Sequence, residues 1–117
     1  MQSQGLEAST SALPDGSLIE LHGDIDGGAR DALNAAYNSA GEGTLLLDFA
    51  DVEYINSTGI ALIVGLLARA RTDQRPVSAR GLTQHYREIF EITRLSDFMT
   101  ILTDGSSPGT KTEGGDQ

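Results

Sequence analysis

The sequence predicts a single α/β domain: a mixed β-sheet with helices packed on it, in the order β-β-α-β-α-β-α-β. Three observations support this prediction. They are a turn between two alternating segments near the start, a short continuous apolar run in the middle, and apolar residues at helical spacing in three later segments. The chain has 117 residues, enough for one modest core without disulfides or a structural metal.

The first two strands are predicted to form a hairpin. Residues 6–13 alternate only partly between apolar and polar side chains, which indicates a weak edge strand. Residues 14–17 read PDGS and are typical of a turn, because Pro14 has the φ angle that the second turn position needs and Gly16 tolerates an unusual φ. Residues 18–23 then predict a better strand, LIELHG.

A helix and a third strand follow the loop DIDGG. Gly41 is a typical residue for the end of that helix. Its apolar side chains recur at the spacing of one helix face, at Ala29, Leu33, Ala36, Tyr37 and Ala40. Residues 44–49, TLLLDF, are a short continuous apolar run, which predicts a strand covered on both faces.

The second predicted helix runs from about Ser57 to Arg71, after an extended segment that ends with YIN. Because Leu62 and Leu66 widen its apolar face, we expect the helix to be largely buried. Each buried Leu or Ile contributes roughly 1.5–3 kcal/mol, so this helix is expected to anchor the core. The face itself consists of Ile60, Ile63, Val64, Leu67 and Ala70.

The remaining folded region is predicted as strand, helix and strand. Residues 77–81, VSARG, indicate a short strand, and residues 98–103, FMTILT, indicate a last one. Between them, residues 82–95 have helical spacing, with Thr83 as a plausible N-cap.

The boundaries of the domain follow from composition. We expect a flexible N-terminus at 1–5, a folded domain at 6–104 and a disordered acidic tail at 105–117, rich in Gly, Ser and Thr. The formal charge is −9, and the first 56 residues hold ten acidic residues but one basic residue. This charge argues against binding to nucleic acid and to anionic membrane surfaces.

Composition also excludes several kinds of active site. The chain has no cysteine, which excludes disulfides, thiolate zinc sites and cysteine nucleophiles. Its single lysine, Lys111, lies in the tail, and its two histidines are isolated, so no P-loop, triad or metal centre is predicted. No signal peptide is predicted, and no apolar run approaches the ~20 residues that span a bilayer. We therefore expect a cytoplasmic protein without catalytic activity, metal or cofactor.

Two hydroxyl groups lie where the third strand gives way to the second helix, in the sequence YINSTG. The first backbone N–H groups of a helix lack partners within it. One interpretation is that Asn56 or Ser57 is an ordinary N-cap, worth ~1 kcal/mol. The other is that Ser57 is a phosphate site, since free N–H groups and the helix dipole favour an anion by roughly 0.3–1 kcal/mol. Gly59 permits a close approach, either of a partner or of another part of the fold.

The segment LLLDFADVEYINSTGIALIVGLLARAR resembles the signature of STAS domains, specifically of bacterial anti-sigma factor antagonists. In that family an apolar strand leads to Asp-Ser-Ser/Thr-Gly and then to an apolar helix. LHGDID resembles the family's Gly-Glu-Leu-Asp segment, and VSARGLTQHYREIFEITRLSDFMTIL resembles its closing strand, helix and strand. The resemblance covers residues 6–104 and implies a STAS fold.

The resemblance implies partner switching, a form of transcription regulation and signal transduction. The unmodified antagonist binds an anti-sigma serine kinase and thereby frees a sigma factor. Phosphorylation of a serine at the helix start ends the interaction, and a cognate phosphatase restores it. The matching phosphoacceptor is Ser57, with Thr58 as the second candidate, and the free protein is expected to be monomeric. The implied partner-binding residues are Asp24, Asp26, Asn56, Ser57, Thr58, Gly59 and Ile60.

Two residues and the function itself have alternative interpretations. Asn56 stands where the family commonly has Asp, so it keeps the capping oxygen and loses the charge. It is either a neutral variant or a sign of a changed kinase preference or an easily accommodated phosphate. Asp26 either lies near Ser57 or caps the first helix. The alternative functions are an adaptor subunit of an ABC-type transporter complex and a ligand-sensing STAS domain.

Overall fold

Residues 5–102, the part of the chain that the computed structural model describes, contain a five-stranded mixed sheet in the order β1-β2-β3-β4-β5. β1 pairs antiparallel with β2, and the other neighbours are parallel. The predicted order of elements is confirmed, and two 3₁₀ turns are added at Gly27–Ala29 and Leu95–Asp97. The strands are β1 (Glu7–Leu13), β2 (Gly16–Ile25), β3 (Thr44–Ile55), β4 (Val77–Arg80) and β5 (Thr100–Ile101), and the helices are α1 (Arg30–Ser39), α2 (Ser57–Thr72) and α3 (Gln84–Ile92).

The terminal predictions fall mostly outside this region. The flexible N-terminus, apart from Gly5, and the tail at 105–117 lie outside the described residues. Leu102 is the last described residue, so the proposed end of the domain at 104 also lies outside them.

β2 and β3 are longer than their apolar patterns indicated. β3 continues to Ile55, where it pairs with Ile25 at the end of β2. Along β2 the pairing register shifts between Glu20 and His22 and again between Gly23 and Ile25. In β3 the regular alternation stops at residues 50–51, which are both exposed. An irregular register of this kind interrupts the period of two that identifies a strand in a sequence.

The predicted last strand at 98–103 is wrong in length, because only Thr100–Ile101 pair with β4. The 3₁₀ turn before it ends at Asp97 with Phe98 as its cap, and the chain continues to Met99, which is buried in the core. α3 is also shorter than predicted, because Arg94 has a left-handed φ of 69° that ends the helical path.

The helices cover one side of the sheet, so the prediction of a central strand covered on both faces is wrong. Leu45, Leu47 and Phe49 of β3 belong to the same buried core as α1, α2 and α3, whereas Leu46 and Asp48 are only half-buried. On the open side, register places Glu20 beside Asp48 and Asp48 beside Arg80, with an Asp48–Arg80 ion pair at 3.1 Å. An antiparallel edge strand and a polar open face are compatible with this one-sided packing.

α2 is buried on a face slightly different from the predicted one. Ile63, Leu67 and Ala70 are buried as expected, but Val64 is 46% exposed. Gly59, which lies outside the predicted face, is buried instead, and Leu66 is buried as well. The helix is therefore half-buried, so the expectation of a largely buried helix is wrong.

A polar cluster joins the C-terminal ends of α1 and α2. The Tyr37 hydroxyl donates a 2.6 Å hydrogen bond to Asp73, and the Arg69 guanidinium lies 4.1 Å from the centre of the Tyr37 ring. Burial and the neighbouring Asp73 raise the pKa of Tyr37, so its hydroxyl stays protonated and keeps this bond.

Among the helices of residues 5–102, none is long and apolar enough to cross a membrane.

Candidate functional site

The carboxyl ends of β2 and β3 bring the predicted site residues together. These strands are parallel, and Ile25 pairs with Ile55. The Asn56 N–H donates to the Ile25 carbonyl at 3.2 Å, so Asp26 and Asn56 leave the sheet side by side. Carboxyl ends of adjacent parallel strands are a common location for functional sites in α/β sheets.

Asn56 is the N-cap of α2. Its backbone is extended, with φ −94° and ψ −178°, and its side-chain oxygen accepts a 2.8 Å hydrogen bond from the Gly59 N–H. Its carbonyl accepts the Ile60 N–H at 2.9 Å. Of the two interpretations of Asn56 and Ser57, the structure thus assigns the cap to Asn56 and leaves Ser57 as the first helical residue.

Ser57 and Thr58 are both exposed at the start of α2. Within residues 5–102 neither the Ser57 hydroxyl nor the N–H groups of Ser57 and Thr58 have a protein hydrogen-bond partner. The Thr58 γ-methyl points towards the 3₁₀ turn at Gly27–Ala29, since a Cβ added to Gly27 would lie 3.5 Å from it. The Thr58 hydroxyl likewise has no hydrogen-bond partner among the described residues, so the geometry leaves both hydroxyls accessible.

Gly59 packs α2 directly onto the end of β2. A Cβ at this position would lie 2.0 Å from the Ile25 carbonyl oxygen and 2.7 Å from the carbonyl carbon. Of the two uses proposed for this glycine, close approach within the fold is the one observed, because Gly59 is buried. Gly59 is therefore a buried packing residue beneath the candidate site, and Ile60, the next residue, is half-buried.

Asp26 caps the 3₁₀ turn that precedes α1. Its carboxylate accepts the Gly28 N–H at 2.9 Å, and its carbonyl accepts the Ala29 N–H at 3.0 Å. The capping interpretation thus holds for the turn, whereas the cap position of α1 itself is Ala29. Asp24 is half-buried near the end of β2, and among the described residues no hydrogen bond joins Asp24 or Asp26 to Ser57.

The acidic residues of the candidate site, Asp24 and Asp26, lie on the β2 side and not in the helix. The first turn of α2 contains no acidic residue, and residues 5–102 hold no cluster of three or more His, Cys, Asp or Glu suited to a metal ion. Tyr54, which sequence reasoning treated only as the end of a strand, is 53% exposed close to the site. The exposure of Tyr54 could not be predicted from the sequence, because an aromatic residue in a strand is more often buried. The site is suited to covalent modification of a hydroxyl and to contact with a partner.

Removing the cap should cost stability while removing the neighbouring hydroxyl should not. We expect Asn56→Ala to lower the free energy of unfolding by about 1 kcal/mol, because the Gly59 N–H loses its acceptor. Ser57→Ala is the matched control and should change stability by less than about 0.5 kcal/mol, since this exposed hydroxyl bonds to nothing in the described protein. Urea denaturation of both variants tests this, and a larger loss for Ser57→Ala would contradict the assignment of the cap.

The sequence matches a family model described as "Mlab, STAS domain" over residues 8–103. It is also similar to the anti-sigma-B factor antagonist of Listeria monocytogenes, with 38% identity over 61 residues. That alignment covers 51% of this chain and 54% of the relative, so it spans about half the length of each protein.

Two solved structures share the fold. An anti-sigma factor antagonist from Mycobacterium paratuberculosis has a TM-score of 0.63 and 19% identity, over 83% of this chain and 85% of that one. The Bacillus cell fate determinant SpoIIAA in its phosphorylated form has a TM-score of 0.58 and 19% identity, over 83% of this chain and 92% of that one. At this level of identity the similarity establishes the architecture of the sheet and helices.

Proposed function

The chain belongs to the STAS domain family, and we propose that it is a non-enzymatic anti-sigma factor antagonist of the bacterial cytoplasm. In this proposal the unmodified protein binds an anti-sigma serine kinase. Phosphorylation of Ser57 releases the kinase, and a phosphatase restores binding.

The observation that carries the proposal is the free, exposed hydroxyl of Ser57 in the first turn of α2. The hydrogen bond from the Gly59 N–H to Asn56 and the packing of Gly59 on Ile25 hold the backbone at the start of α2, which carries the Ser57 side chain. The similarity to a Listeria antagonist supports the role, and a fold relative that exists in a phosphorylated form supports the type of switch.

A phosphate at Ser57 would change the surface and leave the domain folded. A phosphoserine carries about −1.5 to −2 charges, and the unpaired N–H groups of Ser57 and Thr58 together with the helix dipole favour that charge. The cap of the helix is neutral Asn56, so no carboxylate at that position opposes the phosphate. A partner that packs on Ser57 would instead meet a desolvated charge, which opposes binding.

A fixed adaptor role in a transporter complex is the second candidate function. Asn56 favours it, because the common acid of the antagonist motif is missing next to the proposed phosphoacceptor. Such an adaptor would use the same end of α2 as a permanent contact, and a negative charge at Ser57 would not regulate it.

Affinity capture from the native cytoplasm distinguishes the two functions. We expect the wild type and Ser57→Ala to retain a serine kinase. Ser57→Asp should lose it, because its affinity for the kinase is expected to be about 100-fold or more below that of the wild type. Capture of the same partner by all three baits, or of a transporter ATPase, would support the adaptor.

The second readout is phosphate transfer from ATP by the captured kinase. Ser57→Ala should abolish incorporation, while the matched variant Thr58→Ala, which removes the neighbouring hydroxyl, should retain it. The opposite result would assign the modification to Thr58.

A further inference from the structure

The exposed face of α2 differs from the exposed faces of the other two helices. α1 exposes Arg30 and Asp31, and α3 exposes Glu88 and Glu91, as is usual for helices in contact with water. From Ser57 to Ala68, by contrast, the exposed residues of α2 carry no charge: Ser57, Thr58, Ala61, Val64, Gly65 and Ala68. An uncharged, solvent-exposed helix face is typical of a surface that a partner covers.

This face leads into an apolar groove of about 380 Å³ between the C-terminal half of α2 and the 3₁₀ turn at Leu95–Asp97. We call it the α2 groove. Its apolar side chains are Val64, Leu67, Ala68, Leu95 and Phe98. Val64 is 46% exposed and Phe98 is 48% exposed, so the fold leaves both incompletely covered.

The charge of the α2 groove is opposite to that of the protein. The chain as a whole has a formal charge of −9, yet the one charged side chain that lines the groove in the described part of the chain is Arg71. The Arg71 guanidinium lies 5.5 Å from the centre of the Phe98 ring, and within residues 5–102 it forms no ion pair. Nearby Asp97 is already paired with Arg94 at 2.8 Å. An unpaired arginine beside apolar side chains is a suitable contact for a carboxylate on an apolar ligand.

The C-terminal segment of this sequence cannot supply the occupant. Residues 103–117 contain no large apolar side chain that could fill the groove. A separate helix could, because Ala61, Gly65 and Ala68 on the adjoining face are small enough for its backbone to approach α2 closely.

We propose that the α2 groove binds an acidic amphipathic helix of a protein partner. An aromatic or branched aliphatic side chain of that helix lies between Val64 and Phe98, and an Asp or Glu pairs with Arg71. The centre of the groove is about 16 Å along α2 from Ser57, at about 1.5 Å per residue, so this site is separate from the proposed phosphorylation site. Its existence does not depend on phosphorylation of Ser57.

The test uses random peptides of about 12 residues, roughly three helical turns, displayed on phage. They are selected on the full-length chain and counter-selected on the double variant Val64→Glu, Phe98→Ala. We expect enrichment of sequences with one large apolar residue and at least one Asp or Glu. The proposal is overturned by no enrichment, or by a consensus that lacks acidic residues.

Affinities of a selected peptide for single variants locate the site. We expect Phe98→Ala to weaken binding by about tenfold or more and Arg71→Gln by roughly three- to tenfold, as for central interface contacts. Ser57→Asp is the comparison variant and should weaken binding less than Phe98→Ala does, because the added charge lies about 16 Å from the centre of the groove, beyond a Debye length. Binding that survives Phe98→Ala, or that Ser57→Asp abolishes, would contradict a separate groove site.

Thermal unfolding and analytical ultracentrifugation separate loss of the groove contacts from unfolding and from self-association. Thermal unfolding should show that Phe98→Ala and Arg71→Gln remain folded, since both side chains are exposed. Analytical ultracentrifugation should show the wild type as a monomer. A dimer that Phe98→Ala dissociates would overturn the proposal, because the occupant would then be a second copy of the chain.

Discussion

Gly59→Ala is expected to destabilise the protein by about 3 kcal/mol, at the upper end of the usual cost of overpacking. The added methyl group would lie 2.0 Å from the Ile25 carbonyl oxygen, and its nearest neighbours include main-chain atoms that cannot rotate away. Either α2 must move off β2 or the end of β2 must distort. Both changes would also displace Asn56, whose N–H bonds to the same carbonyl.

Gly65→Ala is the matched control for this substitution. Gly65 lies on the exposed side of the same helix, and no neighbouring atom lies within 4 Å of an added Cβ. Here alanine should stabilise the protein by about 0.5–1 kcal/mol, because it is the better helix former. Urea denaturation of the pair measures both effects. Equal stability of the two variants would show that α2 does not pack closely on Ile25.

Phe90→Ala is expected to have the second large effect, a loss of about 3–5 kcal/mol. Phe90 is fully buried, and its ring meets Phe49 edge to face, with ring centres 5.8 Å apart. This contact joins α3 to the central strand of the sheet. Truncation to alanine leaves a cavity and removes the aromatic contact, and both changes destabilise the folded state.

Phe98→Ala provides the comparison within the same residue type. Because Phe98 is about half exposed, its truncation should cost about 1 kcal/mol or less. Calorimetric unfolding of both variants should therefore give a much lower midpoint for Phe90→Ala only. Similar midpoints would contradict the different burial of the two rings. Retained stability of Phe98→Ala also makes it a suitable variant for the groove experiment.

The sequence alone determined the class and order of the fold. Local signals were sufficient for this, because PDGS specifies a turn and the spacing of Leu33, Ala36 and Tyr37 specifies a helix. It also placed the candidate site at the start of α2. A capping residue, two hydroxyls and a glycine in succession satisfy the local needs of a strand-to-helix junction, so the junction can be recognised without knowledge of the fold.

Only the tertiary structure decided which surfaces are covered. The central apolar strand was predicted to be buried on both faces, yet all three helices pack on one face, so Leu46 is half-buried. Val64 has the same period as the buried residues of α2, yet Gly59 packs against Ile25 on the inner face and Val64 is 46% exposed. Periodicity identifies an apolar face, but contacts between distant parts of the chain decide how far that face turns towards the core and how much remains for a partner.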